Sequence, residues 1–201
     1  MNEGIRSLQI ATVLPNQGTL DLIKSINLDE LKLLFTQDTA YNPSTSSKST
    51  TAAFSLPFAF PVDIIALEQN INVGIQDQTF ALLSLPKAAT TTDVEKRIIT
   101  LTFDNIPFAV YGDKHSAFDS FVAGTTMGNT QTLHLSGKAN GDARTAVGVL
   151  SLSDVEFSVD STIQGLQGLN AKPVTVSSLD VKHGYSDYLL ITVNTDLFNP
   201  R

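Results

Sequence analysis

The sequence predicts an all-β protein, an antiparallel β-sandwich with one or two short helices. Three observations predict this class: apolar residues alternate with polar ones in many short segments, a turn-forming residue follows each segment, and the 201 residues include 18 Ser and 22 Thr. Threonine suits a half-buried pleat, and neither Ser nor Thr suits a solvent-facing helix. Hydroxyl-rich composition and alternating hydrophobicity therefore point to the same class.

Composition excludes several kinds of protein. The chain has 42% hydrophobic residues, a formal net charge of −7 and no cysteine, which removes disulfide scaffolds, thiolate metal sites and cysteine nucleophiles. Thirteen Lys and Arg residues, spread singly, do not provide the cationic footprint that nucleic acid or an anionic membrane surface requires. Every apolar run is shorter than the roughly 20 residues that span a bilayer.

The alternation is clearest from Phe54 onward, where Phe54, Leu56, Phe58 and Phe60 fall on one face of a predicted strand. Prolines between them predict a position at a sheet edge, because proline cannot donate a hydrogen bond to a neighbouring strand. The same period of two recurs at residues 31–35, 65–73, 99–103 and 133–135.

In three places the inward-facing parity shifts by one residue. These are Asp104-Asn105, the residues between Leu152 and Val155, and Ser177-Ser178. A parity shift without a long loop predicts a tight turn or a β-bulge.

Helical patterns are few. Residues 115–127 predict a helix with Phe118, Phe121 and Val122 on its apolar face and Ser116 as the N-cap, and weaker patterns cover residues 18–26 and 142–150. Residues 42–51 and 87–93 are low in complexity and rich in hydroxyls, so we expect solvated loops there.

We expect three segments: an N-terminal strand with a short helix or connector over residues 1–27, the main β-sandwich over 28–172, and a C-terminal hairpin over 173–201. The stretches LKLLFTQDTAYNP (31–43) and YLLITVNTDLFNP (188–200) share an apolar strand, a polar tetrad and an aromatic-Asn-Pro ending. This echo predicts that the hairpin opens a second copy of a module in a tandem array. The alternative is that strands often end in Asn-Pro, since Asn starts turns and Pro bars further pairing.

The final stretch, VTVSSLDVKHGYSDYLLITVNTDLFNP (174–200), resembles the opening of the water-stress, late-embryogenesis-abundant (LEA-type) β-sandwich module. Four further stretches resemble a fungal domain of unknown function that occurs in long membrane-anchored proteins with chains of extracytoplasmic β modules. They are LQIATVLPNQGTL (8–20), TAAFSLPFAFPVDI (51–64), LTFDNIPFAVYG (101–112) and TAVGVLSLSDVEFSVDSTIQGLQGLN (145–170).

This resemblance implies an immunoglobulin- or fibronectin-III-like sandwich of LEA type and a vacuolar-lumenal or similar extracytoplasmic location. It also implies an anchor elsewhere in the protein and a structural or interaction role. The expected partners are neighbouring β modules of the same chain and an unidentified protein, with no nucleic acid, and with the membrane only through that anchor. The resemblance defines no catalytic residues.

The residues themselves do not point to catalysis either. His115, His134 and His183 occur singly, whereas metal sites need three or four convergent ligands. No motif with the spacing of a nucleophile elbow, a phosphate-binding loop or a dinucleotide fingerprint is complete. We therefore expect a non-enzymatic protein without catalytic, cofactor-binding or metal-ligating residues.

An excess of aromatic residues leaves one alternative open. If the sheets do not close, a hydrophobic ligand such as a lipid would find an open groove lined by Phe54, Phe58, Phe60, Phe118 and Phe121. If the sheets do close, these side chains form the core.

Overall fold

The computed structural model describes residues 22–56, 61–169 and 172–196, and this part of the chain is mostly strand. Its elements are β1 (Ile23–Asp29), β2 (Lys32–Leu34), β3 (Ser44–Phe54), β4 (Asp63–Ile75), β5 (Gln78–Ala89), β6 (Thr91–Asp93), β7 (Ile98–Val110), α1 (His115–Met127), β8 (Thr130–Thr145), β9 (Gly148–Gln164), a 3-10 turn (Gln167–Leu169), β10 (Thr175–Gly184) and β11 (Leu189–Asp196). Each of the strand pairings among these elements is antiparallel. The predicted all-β antiparallel class is confirmed.

Nine strands form one continuous sheet in the order β1-β3-β7-β5-β4-β8-β9, with β2 beside β3 and β6 beside β7. The two ends of this path, β1 and β9, approach each other, so the sheet nearly closes into a barrel. A clear immunoglobulin-like sandwich of two separate sheets is not formed. Strand β7 joins two sets of strands, β1-β3 on one side and β5-β4-β8-β9 on the other. It pairs with β3 along most of its length and with β5 only at Phe108–Val110.

All three predicted parity shifts are β-bulges. Asn105 in β7 has φ +54° where the register with β3 slips, and Asp154 in β9 has φ +53° where the register with β8 slips. The third slip lies at Val176/Ser178 in β10. Asn and Asp tolerate this left-handed backbone better than most residues, which is why these positions carry them.

The main core lies inside the curved sheet and is closed by α1. Phe118 and Phe121 on α1 pack against Phe80 of β5 and Phe108 of β7, with ring centroids 5.4 to 6.4 Å apart. The helix has the predicted bounds, but the residue that precedes it is Lys114 and not the expected cap Ser116, and no side chain caps its N-terminus. The apolar face of α1 therefore holds the helix in place.

Residues 42–51, expected to be a loop, were predicted wrongly. Most of them belong to β3, and Thr45, Ser47 and Thr50 face the interior and are buried. Ser47 Oγ donates to the Asp29 carbonyl at 2.9 Å, and Thr50 Oγ1 donates to Ser47 Oγ at 3.0 Å. The small side chains of Ser and Thr fit inside the sheet, and those of Ser47 and Thr50 are hydrogen-bonded there, so low complexity did not mean a loop here.

Residues 87–93 were also expected to be a loop, and instead they complete β5 and form β6. Thr90 and Thr92 both donate side-chain hydrogen bonds to the carbonyl of Ile64, at 2.5 and 2.9 Å. These bonds hold the segment against the start of β4.

The two weaker helix predictions were wrong where the structure describes them. Of residues 18–26, positions 18–21 lie outside the described residues, and Ile23 to Ile26 belong to β1, which pairs with β3. Residues 142–150 form the β8–β9 hairpin, whose turn is closed by Thr145 opposite Gly148 at φ +129°. In both segments cross-strand pairing outweighs a short helical spacing of apolar residues.

Replacing Phe118 by Ala is expected to lower the free energy of unfolding by about 3 to 5 kcal/mol, because removal of a buried ring in contact with five other rings leaves a cavity. Urea titration measures the change. Met127→Ala, at the exposed end of the same helix (72% exposed), is the control and should change stability by less than about 0.5 kcal/mol. Equal effects of the two substitutions would contradict this account of the core.

Candidate functional site

A cavity of about 1070 Å³ opens between α1 and the edge formed by β2, β3 and β7. Its apolar wall comes from Leu31 and Leu33 on one side, Phe103 on another, and Phe121 and Val122 on the helix. Phe121, Val122 and Thr125 line this space together because positions one and four residues apart lie on the same side of α1. The volume lies just above the range of about 300 to 1,000 Å³ that is typical of small-molecule sites.

Hydroxyl groups form the polar part of this cavity. Ser47 and Thr125 both line it and both are buried, and Ser47 has hydrogen-bond partners on β1 and β3. The Thr125 hydroxyl has no partner among the described residues. Its backbone carbonyl accepts a hydrogen bond from Leu166 N at 2.8 Å, which holds the segment after β9 against the end of α1.

Four charged residues lie at the rim of the same cavity: Glu30, Lys32, Lys48 and Asp104. Asp104 accepts a hydrogen bond from Ser46 Oγ at 2.6 Å. Two positive and two negative side chains leave the rim without a net charge.

A second cavity of about 200 Å³ adjoins the first and shares Thr102, Phe103 and Asp104 with it. It lies where β5 and β7 separate, beyond the three residue pairs that join them, and Leu67, Leu85, Leu101 and Ile106 contribute its apolar wall. The interior is therefore open at the point where β7 stops pairing with β5 and pairs only with β3.

The structure separates the three aromatic residues of the predicted groove that it describes, Phe54, Phe118 and Phe121. Phe118 and Phe121 lie together in the main core, and Phe121 also lines the large cavity. Phe54 belongs to a second apolar cluster with Val62, Ile64, Ile99 and Ala143, and it lines a different cavity of about 260 Å³. Phe58 and Phe60 lie outside the described residues.

The alternation in the sequence identified strands at Leu33 and Phe103, but it did not identify these residues, or Leu31 before β2, as neighbours of the helix. It gave no signal for Thr125, because one threonine within a helical pattern looks like any other. The packing of α1 against the open side of the curved sheet brings Thr125 close to Leu31, Leu33 and Phe103.

On the outer face of the sheet, Asp160, His134 and Ser158 are hydrogen-bonded in the sequence Asp-His-Ser, as the residues of a catalytic triad are. His134 Nδ1 lies 2.9 Å from Asp160 Oδ1, and His134 Nε2 lies 3.2 Å from Ser158 Oγ. The strands β8 and β9 place the three side chains on the same face of the sheet. The His134 side chain is 43% exposed, and none of the three cavities described above is lined by the cluster. Water therefore competes for each contact, and the cluster has no enclosed substrate pocket beside it.

Hydrogen bonds and ion pairs at the surface cause the pKa shifts that the described residues show. Lys87 lies 2.6 Å from Asp142 and holds the pKa of that carboxyl below its usual value. Glu156 and Asp154 raise the pKa of Lys138. The Lys96 backbone N–H donates to Asp93 at 3.0 Å and, with the Lys96 ammonium, lowers the pKa of that carboxyl. None of these shifted groups lines the large cavity.

The hairpin β10–β11 forms a separate two-stranded sheet, and each of its residues is exposed. The register places Leu179 opposite Val193 and Val181 opposite Ile191, so one face of the hairpin is apolar. The side chains of this apolar hairpin face are 44 to 62% exposed: Val176, Leu179, Val181, Leu189, Ile191 and Val193. The opposite face carries Leu190 but is otherwise mostly polar, with Asn194 Nδ2 donating to Ser178 Oγ at 2.7 Å.

Within the described ranges there is no group of three or more His, Asp or Glu side chains placed to hold a metal ion. In the same ranges, α1 is too short to cross a bilayer, and the structure offers no other helix with the length and hydrophobicity to do so.

Comparison with known proteins gives one family match. A family model described as a protein of unknown function (DUF3712) matches residues 78–200, which run from β5 through the hairpin. No curated protein matches the chain. A crystal structure of a protein from Archaeoglobus fulgidus is similar at 10% sequence identity, covering 71% of this chain and 96% of that chain with a TM-score of 0.28. That likeness is too low to support an argument about fold.

The serine of the outer-face cluster is expected to have no catalytic role. Ser158→Ala should hydrolyse p-nitrophenyl acetate at the same rate as the unchanged chain, because an exposed serine without a substrate pocket gains little from its neighbours. The control is Ser136→Ala, which changes the residue paired with Ser158 across the two strands. A hundredfold loss of rate in Ser158→Ala alone would show an active triad.

Proposed function

Because the chain belongs to the DUF3712 family, whose function is unknown, we propose a role for it from its own surfaces. We propose that it is a non-enzymatic structural and interaction module of a fungal membrane-anchored protein, located on the extracytoplasmic side in the vacuolar lumen. The observation that carries this proposal is the apolar hairpin face. The fungal origin, the anchor and the location follow from the resemblance of the sequence.

The apolar hairpin face is exposed to water, and we expect another protein segment to cover it. A two-stranded hairpin is at best marginally stable alone in water and needs a third strand or a packing surface. Contiguous exposed apolar side chains on one face of β10–β11 are typical of an interaction surface. Leu179, Val181, Ile191 and Val193 form two directly opposed pairs at the centre of this face.

The similarity between residues 31–43 and 188–200 indicates what kind of partner covers the apolar hairpin face. In the main sheet, the chain that follows Asn42-Pro43 returns as β3 and pairs with both β1 and β2. Residues 188–200 repeat the pattern of residues 31–43 and end in the same Asn-Pro pair. The proposed partner is therefore the next β module of the same chain, whose first strand would add to the hairpin as β3 adds to β1 and β2.

The proposal includes kinship with the LEA-type sandwich. It is supported by β7, which is shared between a set formed with β1, β2, β3 and β6 and a set formed with β4, β5, β8 and β9. Two sets of strands joined through one strand are what a sandwich becomes when its sheets merge at one edge.

The proposed partners are proteins and not nucleic acids. A net charge of −7 and scattered cations disfavour phosphate backbones, and the surface is instead rich in uncharged hydroxyls. Membrane association would come from an anchor elsewhere in the protein. An additional protein partner, of unknown identity, would use the remaining loops and sheet edges.

A fusion of residues 1–200 to residues 44–201 tests the hairpin as the opening of a module. It gives the hairpin a following strand at the same distance from Asn-Pro as β3 has in the main sheet. We expect amide exchange at Leu179 and Ile191 to slow at least tenfold, about 1.4 kcal/mol of protection, because the hairpin becomes part of a larger sheet. Hydrogen-exchange NMR measures this.

The control for this experiment is the same fusion with Leu179→Asp and Ile191→Asp, which removes the apolar hairpin face and should keep exchange fast. Exchange rates in the first fusion that equal those of the 201-residue chain would overturn the module proposal.

A second candidate function is the binding of a hydrophobic ligand, and the large cavity beside α1 favours it. Its walls include Phe121, one of the aromatic residues that predicted a ligand groove, together with Leu31, Leu33 and Phe103. Apolar surface that faces an open cavity gains stability when a ligand covers it.

Filling the cavity should block such binding. Val122→Phe adds volume at the cavity wall and is expected to weaken binding of the uncharged dye N-phenyl-1-naphthylamine at least tenfold, about 1.4 kcal/mol. Dye fluorescence gives a clean readout because the chain has no tryptophan. Ala123→Phe, at the next and exposed position of α1, is the matched control and should leave binding unchanged. The same loss in both variants would mean that the dye binds elsewhere.

A further inference from the structure

The turn between β8 and β9 carries apolar side chains where tight turns usually carry polar ones. This apolar tip, residues 146–150, has the sequence Ala-Val-Gly-Val-Leu. Val147 is 87% exposed, Val149 58% and Leu150 45%. Tight turns favour Gly, Asn, Asp and Ser, so an exposed valine gains nothing for the turn itself. Apolar side chains grouped on one projection are typical of a surface that contacts another molecule.

The apolar tip lies at the end of the main sheet away from the cavity beside α1. Ala143, just before the turn, belongs to the same apolar cluster as Phe54 and Ile99. Ser47, which lines the cavity, is seven positions from Phe54 along β3, about 23 Å at 3.3 Å per residue. Strand β8 begins just after α1 and continues past Ala143 in the direction away from the helix. A chain therefore cannot place its apolar tip in its own cavity.

The cavity beside α1 has the character of a protein contact surface. Its wall combines the apolar side chains of Leu33, Phe103 and Val122 with hydroxyls and with four charged residues at the rim. An apolar centre and a polar rim are typical of surfaces that bind protein segments. Its volume of about 1070 Å³ exceeds the usual range of small-molecule sites and accommodates a tight turn.

The charges around the cavity and around the apolar tip are compatible. The four charged rim residues form no ion pair within the described part of the chain. Residues 145–153, on both sides of the turn, carry no charge, and at the base of the tip Arg144 lies 3.4 Å from Asp63. An uncharged tip with one cation and one acid at its base matches an apolar cavity whose rim has two of each.

The path of the chain brings these two surfaces together in consecutive modules. Strand β1 begins at Ile23 opposite Phe54, at the end of the sheet that carries the apolar tip. Strand β9 ends at Gln164 and Leu166 lines the cavity, so the chain leaves the main sheet at the cavity end. Strand β10, the proposed start of the next module, begins at Thr175, within about 30 Å of chain from Leu166.

We propose that the cavity beside α1 receives the apolar tip of a second copy of this β module, so that modules contact one another end to end. Val147 of the second copy packs against Leu33 and Val122, and the base of its turn meets the charged rim. This inference rests on the proposed role as an interaction module and names the surfaces that meet. A small hydrophobic molecule and the tip would compete for the cavity.

The size of the tip determines how strong this contact is. One turn buries less than the roughly 1,000 Å² that a stable interface needs, so separate chains bind weakly. Modules joined in one chain hold the two surfaces at a high effective concentration, which strengthens the same contact.

Disulfide cross-linking detects such a weak contact, and the chain has no cysteine of its own. An isotope-labelled Val147→Cys copy is mixed in air with an unlabelled Val122→Cys copy, and mass spectrometry identifies the mixed dimer. We expect this dimer to form at least tenfold faster than the mixed dimer of Val147→Cys with Ala123→Cys. Ala123→Cys is the matched control, because Ala123 is the next position of α1 and is exposed.

A charge on the tip provides a second measurement. Val149→Asp, added to the Val147→Cys copy, should slow the mixed cross-link at least tenfold, because a carboxylate loses its hydration on entering an apolar cavity. Ser153→Asp adds the same charge at an exposed position of β9 outside the tip and should leave the rate unchanged.

Equal cross-linking of Val147→Cys to Val122→Cys and to Ala123→Cys would overturn the proposal. Faster cross-linking to Leu179→Cys than to Val122→Cys would assign the tip to the apolar hairpin face of the second copy and overturn the role of the cavity. The module role itself is decided separately by the amide exchange rates of the fusion, so the two failures are distinguishable.

Discussion

The contact between α1 and the junction of β5 and β7 is the interaction on which the rest of the structure depends. The two strands share only three residue pairs, and Phe80 and Phe108 lie at that junction. Phe118 and Phe121 cover both rings with a helix that no side chain caps. Burial of four aromatic rings closes the curved sheet at this point, and it also leaves the open space beside the helix that forms the large cavity.

The interior of the sheet is partly built from hydroxyls. Thr45, Ser47 and Thr50 of β3 are as buried as the apolar side chains around them. Ser47 and Thr50 form a short hydrogen-bonded chain to the backbone of β1, whereas Thr45 has no side-chain partner. Hydroxyls are small enough to fit a closely packed strand and cost little when they are paired. The same chemistry gives the cavity its polar character.

Two surfaces remain incompletely covered, and they differ in kind. The apolar hairpin face is flat, two strands wide and exposed along its whole length, which suits another protein segment. The cavity beside α1 is concave and lined by apolar side chains, hydroxyls and four charged side chains, which suits a small molecule. The first surface supports the structural proposal and the second supports ligand binding, so the two functions are compatible in one chain.

Local patterns of residues predicted the antiparallel β class, the bounds of α1 and the three register slips, because alternation, helical spacing and parity shifts are properties of neighbouring residues. The same patterns misplaced β3, since a run of Ser and Thr has the same composition in a loop as in a buried strand. Long-range packing alone makes the sheet curve nearly into a barrel, puts Phe54 and Phe121 in different clusters, and places Thr125 beside a cavity. Those features depend on contacts between residues far apart in the chain, and no local pattern encodes which distant surfaces meet.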